Sequence, residues 1–155
     1  MYFVYFVVAF ILPLSCAQPT DSPDDGTVER ERVEVSGSIS EDAVWESGKD
    51  YVVTGDVTVE AGATLTIQPD GVVKFRHEHA DDYSGITVEG TLIADGGDST
   101  TGILFTSGAS EWARKPGDWR GIKVEASSDS SSVIRYCRIA YANVGIEADG
   151  SLLPF

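Results

Sequence analysis

From Val33 onward, short runs rich in Val, Ile and Thr alternate with polar residues, and Gly, Asp, Asn or Ser separate them. Alternation of period two marks a strand with one face buried, because successive side chains leave opposite sides of the backbone. The runs fall at 51–60, 64–68, 72–76, 86–94, 102–107, 121–126 and 133–146. No segment sustains a helical period of 3.6. The alternation selects inward pairs: Leu65 and Ile67, Val73 and Phe75, Ile86 and Val88, Ile103 and Phe105, Ile122 and Val124. In 133–141, Ile134 and Tyr136 share one phase, while Cys137, Ile139 and Tyr141 share the other. A one-residue slip after Tyr136 predicts a corner there. Pro69-Asp70-Gly71 predicts a tight turn, since Pro presets φ and Gly accepts positive φ.

The runs repeat. GITVEG (85–90) returns as GIKVEA (121–126) and as GIEADG (145–150), each opening with Gly-Ile and carrying an acidic residue near its end. VTVEAGATLTI (57–67) shares TVE and TL with ITVEGTLIA (86–94). Repeats a few tens of residues apart predict a solenoid, in which each unit buries its apolar row only against its neighbours. Two loops interrupt the repeats, HEHADDYSG (77–85) and SGASEWARKPGDWRG (107–121). Loops on one side of a rigid solenoid are where ligand contacts gather.

Ahead of the repeats, residues 1–17 carry no charge, and the apolar run from Tyr2 to Leu12 is shorter than the roughly 20 residues a membrane-spanning helix needs. Ser15-Cys16-Ala17 supplies a small-x-small cleavage pattern, so residues 1–17 are expected to be a signal peptide and the mature chain to have no transmembrane span. No Lys or Arg precedes the run. Cys16 is also a candidate for lipidation, with residues 18–35 then serving as a tether. That segment, rich in Asp, Glu, Pro and Ser, is expected to be a disordered acidic linker. The expected location is extracellular or on the cell envelope.

GDVTVEAGATLTIQPDGVVKF (55–75), ITVEGTLIADG (86–96), ILFTS (103–107), GDWRGIKVEA (117–126) and SVIRYCRIAYANVGI (132–146) resemble the N-terminal part of secreted right-handed parallel β-helix repeat proteins, in the pectate-lyase-like fold group. The resemblance implies an all-β, right-handed parallel β-helix over 36–151, with an N-terminal cap around Ser36–Asp50 containing Trp45, and a tail at 152–155. Its inward rows are expected to draw on Leu65, Ile86, Ile103, Ile122 and Ile139 or Ile146. Relatives of this kind carry more coils, so the chain reads as short and truncated at its C-terminal end. The open last coil, around Ile139, Val144 and Ile146, is then expected to favour self-association.

Composition narrows the chemistry. With 25 acidic and 11 basic residues the net charge is −14, which argues against nucleic acid as a partner. Only Cys16 and Cys137 are present, so no intrachain disulfide framework is expected. His77 and His79, with Asp81 and Asp82, form the densest set of potential metal ligands, although their spacing matches no helical metalloprotease motif. Acidic pairs at Asp24-Asp25, Asp81-Asp82 and Asp95/Asp98 are candidates for calcium, the hard cation that polysaccharide lyases of this fold group use. Trp112, Arg114, Lys115, Trp119 and Arg120 make the 107–121 loop aromatic and basic within an acidic protein. Trp faces stack on sugar rings and Arg pairs with uronate carboxylates, so extracellular polysaccharide is the expected partner. Packing is the competing role for Trp119, and Trp112 is the better exposed contact. No Gly-x-Ser-x-Gly elbow, phosphate loop or Cys–His couple appears, and no catalytic residue can be named. The expectation is a non-catalytic scaffold or polysaccharide-binding module, with the N-terminal part of a polysaccharide lyase or glycoside hydrolase as the alternative.

Overall fold

The computed structural model describes residues 30–76, 84–125 and 131–149. Among them the chain winds through five coils. The first holds β1 (Glu31–Ile39) and β2 (Ala43–Trp45), the second β3 (Lys49–Val59) and β4 (Thr64–Ile67). The third holds β5 (Val72–Phe75), β6 (Ile86–Val88) and β7 (Thr91–Asp95). The fourth holds β8 (Ile103–Ser107), β9 (Ile122–Val124) and β10 (Val133–Arg135), and the fifth β11 (Cys137–Ile139) and β12 (Ile146–Ala148). Every pairing between these strands is parallel. The described residues therefore form a parallel β-helix with three faces.

The first face stacks the N-terminal halves of β1 and β3, then β5, β8 and β11. The second stacks their C-terminal halves, then β6, β9 and β12. The third stacks β2, β4, β7 and β10. The repeats seen in the sequence are this stacking: Ile86, Ile122 and Ile146 lie in register on the second face. Likewise Val57 pairs with Ile86, and Leu65 with Leu92. The expected inward residues are inward, but on all three faces. Val33–Tyr51–Val73–Phe105–Ile139 runs up the first face, and Val57–Ile86–Ile122–Ile146 up the second. Trp45–Ile67–Ala94–Ile134 runs up the third. The middle coils are sealed, with Leu65, Val73, Phe75, Val88 and Phe105 all at 0 % exposure.

Three expectations change. The β-helix begins at Glu31 rather than 36: Val33 and Val35 pair with Tyr51 and Val53, so residues 31–35 are a strand and not linker. The charged neighbours disguise it in sequence: Arg32 and Glu34 occupy the outward phase of the alternation, while Glu31 opens the strand in the phase of Val33 but is exposed and pairs with Lys49. The expected cap is an ordinary first coil, closed by Trp45 stacked on Tyr51 at 4.9 Å, with the Glu46 N–H donating to the Tyr51 hydroxyl at 2.8 Å. The run 86–94 is two strands broken at Glu89-Gly90, where both N–H groups donate to the Val59 carbonyl. Only Gly fits at 90, since a Cβ would lie 2.3 Å from the Glu60 carbonyl oxygen. The slip after Tyr136 is a corner, with Tyr136 at φ 51° between β10 and β11. No described helix is long and apolar enough to cross a membrane. Residues 1–29 with Cys16, and the tail 152–155, lie outside the described residues.

Candidate functional site

Both interrupting loops leave the corner between the first and second faces, in successive coils. The Gly108 N–H donates to the Phe75 carbonyl at 2.7 Å, and the Arg120 N–H to the Ser84 carbonyl at 2.9 Å, so their bases are stacked. His77, His79, Asp81 and Asp82, the metal candidates, lie outside the described residues. Among the described residues no three His, Cys, Asp or Glu side chains gather to hold a metal. The calcium candidates Asp95 and Asp98 have other partners. Asp95 pairs with Arg135 at 2.6 Å. Asp98 caps its own turn, accepting from the hydroxyls and N–H groups of Thr100 and Thr101, which hold its carboxyl down at about 2.

The second loop is tied at its base. Ser107 donates its hydroxyl to Asp118 Oδ2 at 2.6 Å, and the same oxygen accepts the Lys115 N–H at 3.1 Å. The Ala109 N–H donates to Ser107 Oγ at 3.1 Å, and Arg114 Nε to the Ala109 carbonyl at 3.1 Å. The N–H groups of Gly117 and Asp118 both reach the Tyr141 carbonyl in the next coil. The result is a closed surface loop with its ends together. At its tip Trp112 is 93 % exposed.

The five residues grouped in sequence separate here. Trp112, Arg114 and Lys115 stay together on the loop. Trp119 is a core residue, at 0 % exposure, stacked on Phe75 at 3.8 Å and 3° and donating Nε1–H to the Ala140 carbonyl at 2.8 Å. Sealed from solvent, it packs the corner and does not offer a face to a ligand, contrary to its expected place among the ligand-binding residues. Arg120 pairs with Asp56 of the second coil at 3.2 Å.

One group of residues escaped the sequence reading. Beside the loop base, on the outer side of the first face, a groove of about 190 Å³ is lined by Arg32, Asp50, Val52, Lys74, Arg76 and Gly108. Lys74 is paired with Asp50, and Arg76 with Glu34 at 2.6 Å. Arg32 also reaches Glu34, at 3.4 Å, so among the described residues three cations meet two carboxylates here, on a protein of net charge −14. Lys74 and Arg76 share the outward phase of VVKFR, which was legible. That Arg32, 42 residues before Lys74, stands beside them was not.

A model of the pectate-lyase like beta helix domain matches residues 37–126, from the second half of β1 to just past β9. The chain belongs to that family. Such a domain suggests a carbohydrate-related module. No curated protein and no solved structure matches the chain.

Proposed function

We propose that this chain is a secreted or cell-surface module that binds acidic polysaccharide and is non-catalytic as it stands. One observation carries the reading: an indole that is 93 % exposed sits on a loop tied at its base, beside a groove lined by Arg32, Lys74 and Arg76. An exposed Trp is costly in water and is the side chain best shaped to stack on a pyranose ring. Lys115 and the groove cations supply partners for uronate carboxylates, exchanging their pairing with Glu34 and Asp50 for pairing with the ligand.

The test is direct, because Trp45 and Trp119 are buried and Trp112 alone can meet a ligand. Polygalacturonate should perturb the tryptophan fluorescence, a neutral glucan should not, and Trp112→Ala should abolish the response. Equal binding of wild type and Trp112→Ala would reject the site.

A second reading, the N-terminal part of a polysaccharide lyase or glycoside hydrolase, is favoured by the last described coil. Along the second face the Ile86–Ile122–Ile146 row goes from 1 % to 45 % exposed, and Val144 is 43 % exposed, which suits the seating of more protein on that end. Contact with a second copy through the same rows would give self-association. New reducing ends or unsaturated products released by this chain would favour the enzyme reading.

A further inference from the structure

Asp118 is a fully buried carboxylate, 1 % exposed, and none of the described ion pairs includes it. Its Oδ2 holds two hydrogen bonds, while Oδ1 is buried without a hydrogen-bond partner. Ser107, its donor, is 0 % exposed. The second-face and first-face rows around them are apolar, and an apolar pair would fill this corner at lower cost. Burying a carboxylate with one oxygen unpaired is unfavourable. What the pair does accomplish is local. It joins Ser107, where the loop leaves β8, to Asp118, where the chain returns to the helix body, and through the Lys115 N–H it fixes the segment carrying Arg114 and Lys115. The Ala109 N–H on Ser107 Oγ extends the same chain of bonds into the opposite arm.

We infer that Ser107 and Asp118 form a buried latch, and that Asp118 is a positioning residue which holds Trp112 and Lys115 at a fixed height beside the basic groove. This rests on the polysaccharide-binding reading for its purpose, but the latch itself has a ligand-independent signature. Pinning an exposed indole in place removes the ordering cost that a free loop would incur on binding.

The experiment uses the full chain and three variants, Asp118→Ala, Asp118→Asn and Ser107→Ala. Limited trypsin digestion is scored at two bonds, Arg114–Lys115 on the loop and Lys74–Phe75 in β5. If the latch holds the loop, Asp118→Ala and Ser107→Ala raise cleavage at Arg114 by about tenfold or more, the loss expected for a hydrogen bond to a charged group, and leave Lys74 unchanged. Asp118→Asn keeps an acceptor oxygen and should restore most of the protection. Parallel increases at both bonds would mean general destabilisation and would overturn the inference, as would no change at either. Ser107→Ala, which removes only a hydroxyl, covers the case in which Asp118→Ala fails to fold.

Polygalacturonate affinity supplies the second arm. Asp118→Ala should weaken it by about tenfold. The double variant Trp112→Ala/Asp118→Ala should lose less than the sum of the two single losses, since Asp118 acts through Trp112 and Lys115 together. Additive losses would show direct contact instead and reject the positioning role. If wild type binds no polysaccharide, the proposed function fails while the digestion pattern still decides the latch.

Discussion

Trp119 and Trp112 are seven residues apart on one loop and should respond oppositely to the same substitution. Trp119→Ala removes an indole of 0 % exposure from a face-to-face stack with Phe75 at 3.8 Å, and deprives the Ala140 carbonyl of its donor. Truncating a buried Trp costs about 3–5 kcal/mol, because the transfer energy is lost and a cavity remains. The orphaned carbonyl adds about 1 kcal/mol. A loss of about 4–6 kcal/mol would consume a large share of the roughly 5–15 kcal/mol that holds a domain of this size together. Trp119→Phe keeps an aromatic surface against Phe75 but loses the indole N–H, and should cost less, about 1.5–3 kcal/mol. Trp112→Ala changes a side chain already in water and should stay within about 0.5 kcal/mol of wild type. Urea unfolding followed by far-ultraviolet circular dichroism measures all three, with the slope checked for constancy. A Trp119→Ala protein within about 1 kcal/mol of wild type would refute the assignment of Trp119 to the core. So would a Trp112→Ala protein that is equally damaged.

Gly121 has φ 123°, and a Cβ there would lie 1.8 Å from the Val144 carbonyl oxygen, so Gly121→Ala should cost at least ~2 kcal/mol and expose the amides of the fifth coil to hydrogen exchange. Gly85→Ala, at the equivalent position one coil earlier, meets its neighbours only at 3.0 Å and should be milder; equal exchange in the two would contradict the packing. Cys137 is half-buried, its thiol donates to the Ala94 and Arg135 carbonyls, and burial pushes it up to about 11. It should therefore react with a thiol reagent at pH 8 far more slowly in the folded protein than in urea. The unfolded chain loses that proton first, near 9.0, so this group's contribution to stability should be intact below pH 9 and fall as pH rises towards about 11. Stability that rises over that interval in wild type relative to Cys137→Ser would contradict this.

The alternation and the Gly-Ile repeats were sufficient to specify a stacked β-solenoid, since period-two burial and self-similar spacing are properties of the linear chain. Inward residues such as Leu65, Phe75 and Phe105 followed from phase alone. So did the corner after Tyr136, where the phase slips. Residues 31–35 look like linker in the sequence because three charges crowd the two valines and the strand that pairs with them, β3, lies 18 residues ahead. The roles within the 107–121 loop were only partly legible, because composition groups Trp112 with Trp119 while burial separates them. Asp118 gave no signal in sequence: an Asp beside a Gly looks like any turn until Ser107 is found against it. The basic groove is likewise a product of stacking, which brings Arg32 of the first coil and Lys74 and Arg76 of the third onto one face, across Asp50 and Val52 of the second. Sequence determines which way each side chain points; only the winding of the coils decides what it meets there.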